Sequence, residues 1–506
     1  MSTHPPVVLA VDCSTTAAKA VAIDLDGAEP ASASRPLTLS RPRPGFHEQD
    51  AEHWWRATRD ALAETIAALP DPAAVQGICL THQRESFVCT DDRGTPLRPA
   101  VLWLDSRAGA EIAELGTDRV HQLSGKPPDT TPALYKLAWL SRHEPQTLAR
   151  AARVVDVHAV LAHHLTGRWA SSIASADSLG LLDLATGTWA PELLALAGVR
   201  ADQVPDLVPP GEVIGPLTAE TTLALGLPAP VPLIAGLGDG QAAGLGAGAV
   251  DPGTAYLNLG TSMVLGTPSP TYLTSRAFRT LAGTPHGSFV FETVLNAAAY
   301  LADWFRRELG DPALGGTVDP ALDQAADAVP PGAEGLLAVP YWNAAQTPYW
   351  DADARGVLVG LHGAHTRAHV YRALLEGVAF ELRLHLEGLE AATGQRISVI
   401  RAMGGGSRSR LWTQIVADVT DRPIQVCLDE QLSARGAAVL AWRTLATPSA
   451  AARCHAELGE TFIPRAEFAA HYARLAPIHR QIYPTLRDTF ADLAAARGAW
   501  PPPHPR

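Results

Sequence analysis

Short blocks of unbroken apolar residues recur along the chain, each running into glycine, serine, threonine or aspartate. Residues 7–11 lead into Asp12-Cys13-Ser14-Thr15-Thr16, and a second apolar stretch, 20–25, ends at Asp26-Gly27. This pattern predicts two strands joined by a small-residue turn. Residues 54–69 carry apolar positions at helical spacing and stop at Pro70. Ile78-Cys79-Leu80 reads as a buried strand opening into the polar run Thr81-His82-Gln83-Arg84-Glu85. Two further apolar runs behave alike: 101–104 ends at Asp105-Ser106-Arg107, and 231–235 opens into Gly236-Leu237-Gly238-Asp239-Gly240. Strands that end in polar, glycine-rich loops are where α/β folds place ligands.

Near residue 250 the pattern restarts. Residues 254–259, the turn Gly260-Thr261-Ser262 and residues 263–265 repeat the strand, turn, strand order of the N-terminus. An amphipathic helix follows over 368–389, then a strand over 397–402, then Gly404-Gly405-Gly406 and a helix over 411–419. The repetition predicts two domains of related architecture, 1–250 and 251–490, with a proline-rich tail over 491–506 expected to fray.

The 506 residues suffice for two to four domains, and 47% apolar with 18% charged residues is a globular balance. Forty Lys and Arg against 52 Asp and Glu give a formal charge of −12, which argues against nucleic acid as the main partner. Basic residues are almost all arginine, the lysines being Lys19, Lys126 and Lys136, a skew that reads as codon usage. The five cysteines are scattered without a C-x-x-C pair, which suits a reducing compartment better than a disulfide framework or zinc site. No leader pattern and no run of 18 apolar residues is visible, so a soluble, cytoplasmic protein without a membrane partner is expected.

The turns carry the candidate chemistry. Two Gly/Ser/Thr hairpins facing each other can offer backbone N–H groups and hydroxyls to a polyphosphate from both sides. Asp12 would then face the phosphates, which makes sense with a cation such as Mg²⁺ between them. Asp239, fixed at a strand end between two glycines, suits the base that takes a hydroxyl proton in phosphoryl transfer. Gln83, Arg84 and Glu85 mix donors and acceptors suited to a polyhydroxylated molecule, and Trp103 can wall its carbon chain. The glycines at 404–406 let a flat base or a phosphate lie against a helix N-terminus. Each turn taken alone reads as an ordinary hairpin or connection, and the Gln-Arg-Glu run as a surface salt-bridged turn.

Taken in this order, the segments resemble the FGGY family of carbohydrate kinases from about Val7 to about Tyr483. The most specific match is Gly356-Val357-Leu358-Val359-Gly360-Leu361, followed by His369-Val370 and Ala373-Leu374-Leu375-Glu376-Gly377. Supporting matches are Trp103-x-Asp105-x-Arg107, Lys136-x-x-Trp139, Gly238-Asp239, Gly260-Thr261-Ser262, and the 404–406 glycines with Gln414 and Asp418. The resemblance implies two ribonuclease-H-like domains of the actin, hexokinase and Hsp70 type flanking an ATP cleft. It implies a first phosphate loop of Asp12, Thr15, Thr16 and Lys19, a second of Gly260 and Thr261, and an adenosine site near Gly404, Gly405 and Ser409. Asp239 becomes the general base, beside sugar-pocket residues Gln83, Arg84, Glu85 and Trp103, with Mg²⁺ reached through Asp12. The expected reaction is ATP-dependent phosphorylation of a ketopentose such as xylulose, with glycerol, a tetritol or a cyclitol as the alternative acceptor. A ribokinase-type kinase or a non-catalytic regulator of the same fold are the other classes, and a homodimer is expected by analogy. The chain departs from the family pattern at Ser14, where glycine is usual, and at Gly240, where Gln or Asn is usual. Asn343-Ala344-Ala345-Gln346 stands in place of a Gly-Glu-Arg, and Thr131 in place of a tyrosine upstream of Lys136.

Overall fold

The computed structural model describes residues 4–311, 313 and 319–498. Strand Val7–Cys13 is apolar on both faces and almost wholly buried, so it takes a central place with neighbours on either side. It pairs antiparallel with Ala17–Asp24, which pairs antiparallel with Ala31–Pro36. On its other flank run Val75–His82 and then Pro232–Gly238, both parallel, with Val213–Pro216 at the edge. The hairpin between the first two strands closes through Ser14, whose N–H and hydroxyl both donate to the Ala17 carbonyl at 2.9 Å. That hydroxyl accounts for a serine where the resemblance expects glycine.

The second sheet repeats the arrangement. Thr254–Leu259 is central, with Met263–Ser269 and Phe289–Leu295 antiparallel on one side and Val399–Met403 and Ile424–Cys427 parallel on the other. Arg279–Ala282 and Leu458–Phe462 are its edges. Two sheets of this order are two ribonuclease-H-like lobes, as expected. Helix Arg367–Thr393 begins at a capping box of Thr366 and His369 and ends at Gly394 in the left-handed conformation. It covers the second sheet together with Arg410–Thr420 and Ala466–Gly498. The last of these helices includes residues 491–498, which therefore do not start a tail. Their Ala-rich sequence favours helix, and the prolines that suggested a tail lie at 501–503, outside the described residues.

The lobes are joined by more than one covalent link. After strand Ile424–Cys427 the chain sends helix Leu432–Leu445 back onto the first sheet, where Ala437, Ala438 and Ala441 pack with Val8, Ala10 and Ile234. This helix crosses helix Asp239–Gly246 so closely that a Cβ on Gly436 would lie 1.8 Å from the Ala242 carbonyl oxygen. Gly436→Ala must therefore push the two helices apart, an overpacking cost of about 3 kcal/mol. Thermal denaturation should show a clearly lowered midpoint, and an unchanged one would contradict this close crossing.

Candidate active site

Three parallel strands of the first sheet end level with one another. Asp12 lies opposite Thr81, and His82 opposite both Cys13 and Gly238, so Asp12, the 83–85 run and Asp239 leave the sheet at one edge. In the second lobe Asn258 lies opposite Met403, which brings the turn at 260–262 beside Gly404. Gly404 has φ +86°, and a Cβ there would meet the Asn258 Oδ1 at 2.5 Å, so glycine is required on both counts.

Asp239 is the first residue of helix Asp239–Gly246, a helix start rather than the turn the sequence suggested. Its Oδ1 accepts the Gly240 N–H at 2.8 Å and faces the Arg84 Nε at 3.0 Å, while the side chain keeps 39% of its exposure. The glycines on either side are there for Arg84. A Cβ on Gly238 would come within 2.5 Å of the Arg84 Cδ, and one on Gly240 within 2.9 Å of its Nη2.

Arg84 is buried and continues into the other lobe. Its Nη1 donates to both oxygens of Glu292 at 3.1 and 3.2 Å. Arg279 donates to Glu292 at 2.7 Å and to Glu85 at 3.1 Å, and the Tyr256 hydroxyl donates to Glu292 at 2.9 Å. Burial alone would push the Glu292 carboxyl up, but the Arg84 and Arg279 guanidiniums and the bonds from Arg279 and Tyr256 hold it down at about 2. Glu85, in the left-handed region at φ 59°, is pushed up by burial against the opposing pull of Arg279 and Arg84.

Asp12 has a buried Oδ1 without a hydrogen-bond partner. Its carboxyl is pushed up to about 7, by burial first and the nearby Asp239 charge second, with Lys19 pulling the other way. Lys19 is its cross-strand neighbour. An oxygen so placed fits a cation: positive charge there would relieve both causes at once.

The remaining predicted residues divide. Gln83 is buried and turned away from the open edge. Its NH₂ donates to Gln49 at 3.1 Å and the Ser14 carbonyl at 3.4 Å, and its oxygen accepts from Ser86 at 3.0 Å and Thr15 at 3.3 Å. It braces the first hairpin instead of presenting free groups to a ligand. Trp103 is half-buried, its Nε1 donating to the Thr15 hydroxyl at 2.9 Å. Lys136, wholly buried and pushed down to about 8 by burial, donates to the carbonyls of Leu102, Trp103 and Thr131 and so fixes the Trp103 backbone. Thr16 and Thr261 are exposed, and Lys19 and Gly260 half-buried, at the two hairpins. Gly404 and Gly405 line a cavity of ≈ 490 Å³ with Ser407, Val426, Cys427, Leu428 and Phe462. Ser409 is not among the lining residues. Its hydroxyl accepts the Trp412 N–H at 3.3 Å and caps helix Arg410–Thr420, so the serine at the cavity is Ser407.

Nothing in the sequence singled out Glu292, Arg279 or Tyr256, and Lys126 stood out only as one of three lysines; it is buried and donates to the Thr280 carbonyl of the other lobe at 2.5 Å. A carboxylate inside the apolar strand Phe289–Leu295 was the available signal. The lobes also meet where the Gln346 amide donates to Asp129 at 2.6 Å.

Comparison with known proteins gives a consistent picture. The model of the FGGY family of carbohydrate kinases, N-terminal domain, matches residues 7–246, and that of the C-terminal domain matches 255–445. The chain is 31% identical over 427 residues to the xylulose kinase of Escherichia coli (strain K12), covering 82% of this chain and 85% of that one. A xylulose kinase of Staphylococcus epidermidis is 29% identical over 493 residues, 96% of this chain and 98% of its own. The crystal structure of xylulose kinase from Rhodospirillum rubrum superposes with a TM-score of 0.90 at 33% identity, covering 96% of this chain and all of that one.

The buried ion network sets an acid-stability signature. The Glu292 carboxyl titrates near 4.5 when unfolded and near 2 when folded, so the unfolded chain binds the proton more readily between those values. Its contribution is complete above about pH 4.5 and is lost as pH falls toward 2. Urea melts at stepped pH should show the wild type losing stability faster than Glu292→Gln across that window, and parallel curves would contradict the network.

Proposed function

The chain belongs to the FGGY family of carbohydrate kinases, and on that premise we propose that it transfers the terminal phosphoryl group of ATP to a hydroxyl of a ketopentose such as xylulose. One observation carries the reading. Asp239, half-exposed, shares a strand edge with the Asp12 hairpin, and the linked second lobe supplies a matching hairpin and a cavity of nucleoside size. The xylulose kinases to which the chain is similar across most of its length supply the acceptor class.

Phosphoryl transfer asks a protein for alignment and charge more than for covalent chemistry. In this reading the acceptor hydroxyl approaches the free oxygen of Asp239, since Oδ1 is already occupied by Gly240 and Arg84. Asp239 takes the proton as the oxygen attacks. Glu85 and Trp103 border the acceptor, and Gly260, Thr261, Thr15 and Thr16 offer donors to the phosphates. The flat cavity beside Gly404 and Gly405 takes the base of the nucleotide. Asp12 and its buried oxygen would hold Mg²⁺, directly or through water, and the ion when bound supplies charge against the phosphate oxygens. Among the described residues no group of three or more His, Cys, Asp or Glu side chains is placed to hold a metal ion by itself. Among the described residues no helix is long and apolar enough to cross a membrane.

A coupled ADP-release assay over ketoses, aldoses, aldonates and polyols tests the proposal. D-xylulose should give the highest kcat/KM in the panel, and hydrolysis indifferent to every acceptor would contradict it. Asp239→Asn should lower kcat by roughly 10²–10⁴ while nucleotide binding and folding stay close to wild type. Wild-type turnover in that variant would remove Asp239 from the role of base.

A further inference from the structure

Glu292 lies outside both phosphate hairpins and every motif that carries the transfer chemistry, yet it is wholly buried and fully engaged. Taking a carboxylate out of water costs several kcal/mol, so one at zero exposure must be answered by partners. The partners here are Arg84, Arg279 and Tyr256. Of these, Arg84, which like Asp239 belongs to the first lobe, also faces Asp239.

The helix that begins with Asp239 makes room for this assembly. At Gly240 a Cβ would sit 2.9 Å from the Arg84 Nη2 and 2.9 Å from the Glu292 Oε2, and one turn on, at Gly244, it would sit 2.4 Å from the Tyr256 ring. An L side chain at 240 therefore competes for space with the Arg84–Glu292 pair. This is the position where the family resemblance expects Gln or Asn.

We propose that Glu292 is a positioning residue for the transfer, holding the Asp239 carboxylate in place through Arg84, and that Gly240 reserves the space this link needs. The inference rests on the reading of Asp239 as the base. With Glu292 present, Arg84 divides its charge between two carboxylates and engages Asp239 through Nε. Without it, a buried guanidinium turns its charge on Asp239, draws that carboxylate in and takes up the oxygen the acceptor hydroxyl needs. Because Glu292 sits on Phe289–Leu295 and Asp239 on the first lobe, the link also ties the base to the way the lobes meet.

Glu292→Gln, Gly240→Ala and Asp239→Asn are compared with MgATP and the best acceptor of the panel, each with a thermal melt. Glu292→Gln should lose kcat by roughly tenfold or more while KM for MgATP moves by less than about threefold. Gly240→Ala tests the reserved space. Its Cβ would press on the buried Arg84 Nη2 and Glu292 Oε2, so kcat should fall roughly fivefold or more and the melting temperature should fall too, while KM for MgATP moves by less than about threefold. Should Glu292→Gln fail to fold, Gly240→Ala decides alone. Wild-type kcat in Gly240→Ala, or a KM for MgATP that rises together with the fall in kcat, overturns the positioning role. Wild-type kcat in Glu292→Gln beside an inactive Asp239→Asn overturns it while leaving the base in place. An active Asp239→Asn overturns the base reading beneath it, and a panel with no acceptor overturns both.

Discussion

Three parallel strands that stop at the same level leave the residues after them nowhere to go but into one cleft. Asp12, Arg84 with Glu85, and Asp239 come from segments spread over more than 200 residues of sequence, and the register of Val7–Cys13, Val75–His82 and Pro232–Gly238 puts them together. The second lobe obeys the same rule with Thr254–Leu259 and Val399–Met403, which is why its hairpin and its glycine turn share an edge. The sheet supplies rigidity, and the loops that leave it supply chemistry.

Between the lobes the structure accepts a cost. Arg84, Glu85, Arg279 and Glu292 are all buried, and an ion network of this kind adds little net stability over an apolar packing of the same volume. What it adds is definition. A guanidinium bonded on both sides has few orientations left, and so has the carboxylate at its end. Lys126 and Lys136 serve a similar end at the rim, each spending a buried ammonium largely on backbone carbonyls. In a chain whose cations are otherwise arginine, Lys19 lies across the first hairpin from Asp12, and Lys126 and Lys136 are buried.

The fold was legible because it is written in local signals. Apolar runs ending in small polar residues marked the strand ends, and their recurrence near residue 250 marked the second lobe. The strand ends that carry Asp12 and Asp239 were legible for the same reason. The use of Gln83 was not: its amide is consumed by Ser14, Thr15, Gln49 and Ser86, three of them on other segments. Ser409 looked like a ligand contact and is a helix cap, a use equally open to a serine before a helix. Glu292 and Arg279 lie about 200 residues from the groups they serve, and only the assembly of two lobes brings them there.

The most direct test is a crystal structure of the enzyme with D-xylulose, Mg²⁺ and a non-hydrolysable ATP analogue. The account predicts one acceptor hydroxyl within hydrogen-bond distance of the Asp239 Oδ2 and in line with the terminal phosphorus, the phosphates lying between the two hairpins. A sugar seated away from Asp239, or a triphosphate that touches one hairpin and not the other, would contradict it.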